Sequence, residues 1–101
     1  MPKKSKFSEP SLLILISLAE KNRHGYAIME DIEESYNIKI GPGTLYGAIS
    51  RLEKWGYIRV LTSEEHKKPY KLTEEGQQYV TEQIKEMQKV TNLGLKRLGL
   101  V

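Results

Sequence analysis

Hydrophobic and polar positions alternate with four different rhythms along this 101-residue chain. In the first block, residues 9–21, Leu12, Leu13, Ile14, Leu15, Ile16, Leu18 and Ala19 make a run that is apolar nearly all round. Ser8 is a good cap for a helix here, and Glu9 and Pro10 suit its first turn. A helix with no polar face needs cover on several sides, and the expectation is that a second subunit supplies part of it. In the second block, from about 26 to 36, Ile28, Ile32 and Tyr36 line an inner face with Met29 beside them, while Glu30, Asp31, Glu33 and Glu34 lie outside. In the third, Leu45, Ile49 and Leu52 recur at the spacing of one buried helical face. Tyr46, Gly47, Ser50, Arg51 and Lys54 fall on the other side. Pro42 fits the first turn of this helix and Gly56 closes it. Residues 57–61 and 70–72 then alternate enough to pair as a hairpin around a polar loop. In the last block Thr73 is the expected cap and Glu74 and Glu75 suit the first turn. Val80, Ile84 and Met87 form a stripe that Val90, Leu93 (or Leu95) and Leu98 continue imperfectly. A helix ending near residue 98 is about 37 Å long. A globule of this size cannot cover that length, so the helix is expected to pack on a second copy of the chain.

Charge sharpens the picture. The net charge is +3, and residues 37–72 hold all of the excess, with seven basic and three acidic side chains against near balance on either side. A concentrated positive segment is the footprint of a phosphate-binding face. It coincides with a helix that opens Gly41-Pro42-Gly43, whose first N–H groups are left without a side-chain acceptor. The acids of the second helix would repel DNA, so only its N-terminal end, 24–26, is expected to approach a phosphate backbone. Chemistry of other kinds has little to work with. There is no cysteine. His24 and His66 lack neighbours at ligand spacing, and no catalytic set or cofactor motif can be assembled. The expectation is no enzyme, no metal and no cofactor. The apolar run 12–19 is too short to span a membrane, and a cytoplasmic location is expected.

Three helices, a two-stranded wing and a long final helix describe a winged helix-turn-helix, mainly α with a small β-wing. The expected division is 1–72 for the DNA-binding unit, including a flexible basic arm at 1–6, and 73–101 for a dimerisation helix. Specific segments narrow this further: His24-Gly25-Tyr26, Pro42-Gly43-Thr44-Leu45-Tyr46, Arg51-Leu52-Glu53, Gly56-Tyr57-Ile58, and residues 69–76 reading PYKLTEEG. In this order they resemble the PadR family of bacterial transcriptional regulators over roughly residues 10–98. The single final helix looks like the small subfamily that includes multidrug-sensing repressors.

The resemblance implies a homodimer whose third helices enter successive major grooves of a pseudo-palindromic operator, acting as a repressor and released by a small-molecule effector. By family pattern and exposure, Tyr26, Gly43, Thr44, Tyr46, Gly47 and Tyr70 are the candidates at the backbone and groove edge, with Ser50 and Arg51 deeper along the helix. Lys67 and Lys68 are the candidates for neutralising phosphates. Leu12, Ile16, Val80, Ile84, Met87, Val90 and Leu98 are the candidates for the dimer contact. Two roles stay open for Tyr26 and Tyr46, contact with DNA or packing at the edge of the core. Arg51 can instead pair with an acid, and Trp55 reads as core or dimer packing. Two features depart from the family: Gly41 stands where a serine or another capping side chain is common, and the wing, reading HKKPY, is shorter than the common glycine- and arginine-rich versions. In addition, the tryptophan of the drug-binding members is missing from the last helix. The rival reading is an adaptor that keeps the winged helix without binding DNA. A regulator of MarR or ArsR type fits the motifs less well.

Overall fold

The computed structural model describes residues 9–61 and 68–101. The expected basic arm and Lys67 lie outside them, and the first helix is capped at Glu9, without a side-chain hydrogen bond, rather than at Ser8. Four helices and a hairpin follow in the order α1 (Pro10–Glu20), α2 (Gly25–Tyr36), α3 (Pro42–Lys54), β1 (Ile58–Val60), β2 (Tyr70–Leu72) and α4 (Glu74–Arg97). The strands pair antiparallel, with Ile58 opposite Leu72, Arg59 opposite Lys71 and Val60 opposite Tyr70. Mainly helical with a small antiparallel sheet, this is the winged helix architecture with a C-terminal helix.

α1 lies at the centre, packed by α2, α3, α4 and β2. Leu12, Leu13, Ile14, Leu15 and Leu18 are all buried, and Ile28, Ile32, Leu45, Ala48, Ile49, Leu52, Ile58 and Val80 join them in one core. The expectation that α1 needs a second subunit is therefore corrected: a single chain wraps four elements around it. The inner stripe of α2 also stops short of Tyr36, which is exposed because the helix ends at Asn37 in a left-handed turn. Asp31, expected outside, is half-buried and forms an ion pair with Arg23 at 3.7 Å.

The link between α1 and α2 holds a feature the periodicity does not encode. Arg23 pairs with Tyr70 as an isolated antiparallel bridge. Its N–H donates to the Tyr70 carbonyl at 3.3 Å, and the Tyr70 N–H donates to the Arg23 carbonyl at 2.8 Å. The Arg23 guanidinium donates to the Ser17 carbonyl and to Glu20. One residue thus ties α1, α2 and the root of the wing.

The turn from the wing into α4 is equally determined. The Thr73 side chain accepts from the Gly76 N–H at 3.0 Å, as expected of a cap, and its hydroxyl donates to the Gly56 carbonyl at 2.6 Å. Gly56 itself has φ 80°, the left-handed closure of α3. Gly76 is buried with the Tyr57 backbone pressed on its Cα: an added Cβ would stand 2.8 Å from the Tyr57 carbonyl carbon and 2.9 Å from Leu72 Cδ1. Beside this contact Tyr57 and Tyr79 stack, ring centroids 4.4 Å apart. Beyond Met87, α4 carries no buried residue, and the molecule is drawn out to 54 Å along its longest axis.

Candidate nucleic-acid interface

The amino end of α3 stands clear of its own chain. Gly41, Pro42, Gly43 and Thr44 are all exposed, and Gly41 offers no side chain to cap the first turn. Among the described residues, nothing from outside the local chain lies within 4 Å of where a Cβ would sit on Gly41 or Gly43. A glycine inside a helical turn is worth less than alanine, and no other element among the described residues takes up the space that Gly43 leaves. Bare N–H groups, a positive dipole end and room for close approach coincide here. Tyr46, Gly47, Ser50 and Arg51 continue the exposed face, while Leu45, Ala48, Ile49 and Leu52 hold the opposite face in the core. Among the described residues Arg51 forms no ion pair.

Two further segments border this end. α2 opens at Gly25, one residue before the expected start, because the His24 ring nitrogen Nδ1 accepts from the Ala27 N–H at 3.3 Å and caps it. Tyr26 in that first turn is 62% exposed, and Tyr46 on α3 is 47% exposed. The Tyr46 ring lies directly over Gly25, so the two helix starts adjoin. The wing is joined to the same region through the Arg23–Tyr70 bridge.

Tyr70 itself requires a correction. It is 8% exposed and part of the core, because strand alternation turns it toward α1 and turns Lys71 outward. Burial, then the nearby Glu53 carboxylate and Tyr46, raise its pKa above the ordinary tyrosine value. It is a poor contact residue and a good anchor. The hairpin register reveals two residues that sequence reasoning overlooked: Arg59 and Lys71 are exposed and stand directly opposite each other. Like charges paired across strands destabilise a hairpin, so this pair suits a surface that meets an anion. Nothing short of the register identifies it. Lys68 is exposed at the edge of the wing.

The residues expected at a dimer contact divide. Leu12 and Val80 belong to the core, and Ile16 and Met87 are half-buried against it. Ile84, Val90 and Leu98 are exposed, the last two at 64% and 74%. Trp55, expected in a core or dimer contact, is not in the core; it is 55% exposed, its ring 6.2 Å from that of Tyr57. It borders a small cleft with Glu9, Leu12, Leu52, Tyr79 and Met87.

The family model for the Transcriptional regulator PadR-like family matches residues 14–82, from the core of α1 into the first turns of α4. The chain belongs to the PadR-like family. It is 33% identical over 84 residues to an uncharacterized 37.1 kDa protein in transposon Tn4556 of Streptomyces fradiae, matched across 83% of this chain. That match spans 24% of the Streptomyces protein, about a quarter of its length. Among solved structures, a PadR family transcription regulator from Clostridium difficile R20291 superposes with TM-score 0.81 at 26% identity, covering 90% of this chain and 99% of that one. A transcriptional regulator from Clostridium thermocellum gives TM-score 0.80 at 29% identity, covering 95% and 96%. The PadR motifs read from the sequence therefore lie on the fold of PadR-family transcriptional regulators, and this family is one of regulators rather than enzymes. Among the described residues, no helix is long and apolar enough to cross a membrane.

Proposed function

We propose that this PadR-like chain is a cytoplasmic repressor that binds a pseudo-palindromic operator as a homodimer. The observation that carries this reading is the uncovered start of α3, where glycines face open space beside the exposed Tyr26 and Tyr46. In this reading phosphates sit against the N–H groups of Gly41, Gly43 and Thr44, and Tyr26 and Tyr46 border them. Ser50 and Arg51 reach base edges in the major groove. Lys67, Lys68, Arg59 and Lys71 neutralise backbone charge. The exposed apolar half of α4 supports dimerisation through residues 73–101, with Ile84, Val90 and Leu98 as anchors. Two-fold symmetry then places the α3 helices about one turn of DNA apart. A small-molecule effector would release the operator by binding better to a dimer with the wrong spacing.

The test is selection of duplexes from a random-sequence pool on the purified protein, followed by titration of the selected and an unselected duplex at two salt concentrations. The expected result is enrichment of an inverted repeat, with affinity that falls steeply as salt rises. Failure to enrich any sequence, or binding indifferent to salt, would overturn the proposal and favour the adaptor reading.

A further inference from the structure

We infer that Gly25 is a positioning residue for DNA recognition, its missing side chain forming the seat on which the Tyr46 ring fixes α3 against α2. The inference rests on the DNA-binding reading above and adds a residue that reading does not use.

Gly25 opens α2 and is buried. Its φ lies outside the left-handed region, so its backbone does not demand glycine. Alanine is the better helix former at such a position. The demand comes from across the gap. A Cβ on Gly25 would stand 2.7 Å from Tyr46 Cζ and 2.8 Å from Cε1, with the phenol oxygen closer still. Tyr46 cannot retreat by sliding its helix, because Leu45 and Ile49 on either side of it are locked in the core. An added methyl group must instead swing the ring off its seat.

The seat joins more than two helices. Two residues before Gly25, Arg23 holds the backbone of Tyr70 at the wing root through two hydrogen bonds. Tyr46 also lies near enough to Tyr70 to contribute to the raised pKa of that phenol. One phenol ring therefore abuts the start of α2 and neighbours the anchor of the wing, while about half of it stays open to whatever α3 meets. Removing the seat leaves the core intact and loosens the relation among the three DNA-facing segments. Specific recognition depends on that relation, whereas unspecific attraction depends on the lysines and arginines.

The experiment compares wild type, Gly25→Ala, Tyr46→Ala and the double variant on a duplex selected from the random pool and on an unselected one, with the melting temperature of each protein. Gly25→Ala is expected to weaken the selected complex about tenfold, comparable with losing one good contact. Its affinity for the unselected duplex, its salt slope and its melting temperature should stay near wild type. In the Tyr46→Ala background the glycine substitution should cost nothing more, since the ring is gone. Should Gly25→Ala alone fail to fold while the double variant folds, the steric seat is upheld. Wild-type affinity for the selected duplex in Gly25→Ala, losses that multiply in the double variant, or a double variant that does not fold would each overturn it. If wild type enriches no duplex, the DNA-binding reading falls, and the seat is decided by the Tyr46 ring resonances: Gly25→Ala should shift them from their wild-type positions, and unchanged resonances would overturn it.

Discussion

α1 and the second half of α4 invite comparison because both are rich in apolar side chains and only one of them is covered. α1 has no polar face, yet its Leu12, Leu13, Ile14, Leu15 and Leu18 all vanish into the chain's own core. α4 has a thinner stripe, and from Val90 onward the apolar side chains of that stripe are exposed. Hydrophobicity alone does not decide which helix is covered. Place in the fold does: α1 has α2, α3, β2 and α4 packed around it, whereas the second half of α4 carries no buried residue.

The strongest way to sharpen this contrast is to cut into the covered helix. Ile14→Ala or Leu45→Ala should lower unfolding free energy by about 2–5 kcal/mol, read from denaturant midpoints, since each opens a cavity in a closed core. The same chemistry on the uncovered half should leave the protomer's fold alone. Val90→Asp with Leu98→Asp is expected to keep the helical circular-dichroism signal and to raise the dimer dissociation constant at least about a hundredfold, measured by light scattering across a dilution series. A dimer that ignores both charges would place its contact elsewhere.

Smaller effects mark where cover ends. Tyr79→Ala should lose about 0.5–1.5 kcal/mol beyond its buried area, because its ring stacks on Tyr57 beside the first turns of α4. The smallest is a matter of pH. Tyr70 forms part of the cover over α1, and its pKa is raised in the fold. Below about pH 10 the phenol is neutral in both states and its full contribution is present. As pH climbs past that point the unfolded chain ionises first, so stability falls until the folded group titrates as well. Tyr70→Phe should remove this share of the alkaline loss in melts recorded above pH 9–10.

Much of this was legible in the residues. The spacing of Leu45, Ile49 and Leu52 places α3 in its true phase, and Thr73 announces the start of α4. The motifs around Gly43 and Tyr46 point to the family. What escaped depends on pairings between distant residues. The Arg23–Tyr70 bridge is one residue long and leaves no alternation to read. Asp31 turns inward because Arg23, eight positions earlier, is there to meet it. Arg59 and Lys71 become a pair only once the hairpin register is known, and register depends on a long loop rather than on a two-residue turn. Tyr70 belongs to the family motif, yet the strand turns it into the core rather than to the surface. His24 caps α2 through a ring nitrogen, outside the usual set of capping side chains.

The close approach of Tyr57 to Gly76 has a geometric consequence. The heading on which α4 leaves the wing is fixed in part by the Tyr57 main chain seated close against Gly76. Two protomers clasped by their tails would inherit the distance between their reading heads from that single hinge-free corner, as two rulers joined at one end inherit their spread from the joint. In the dimer proposed above, a methyl group at residue 76 would therefore shift the half-site separation the pair can span without touching a nucleotide.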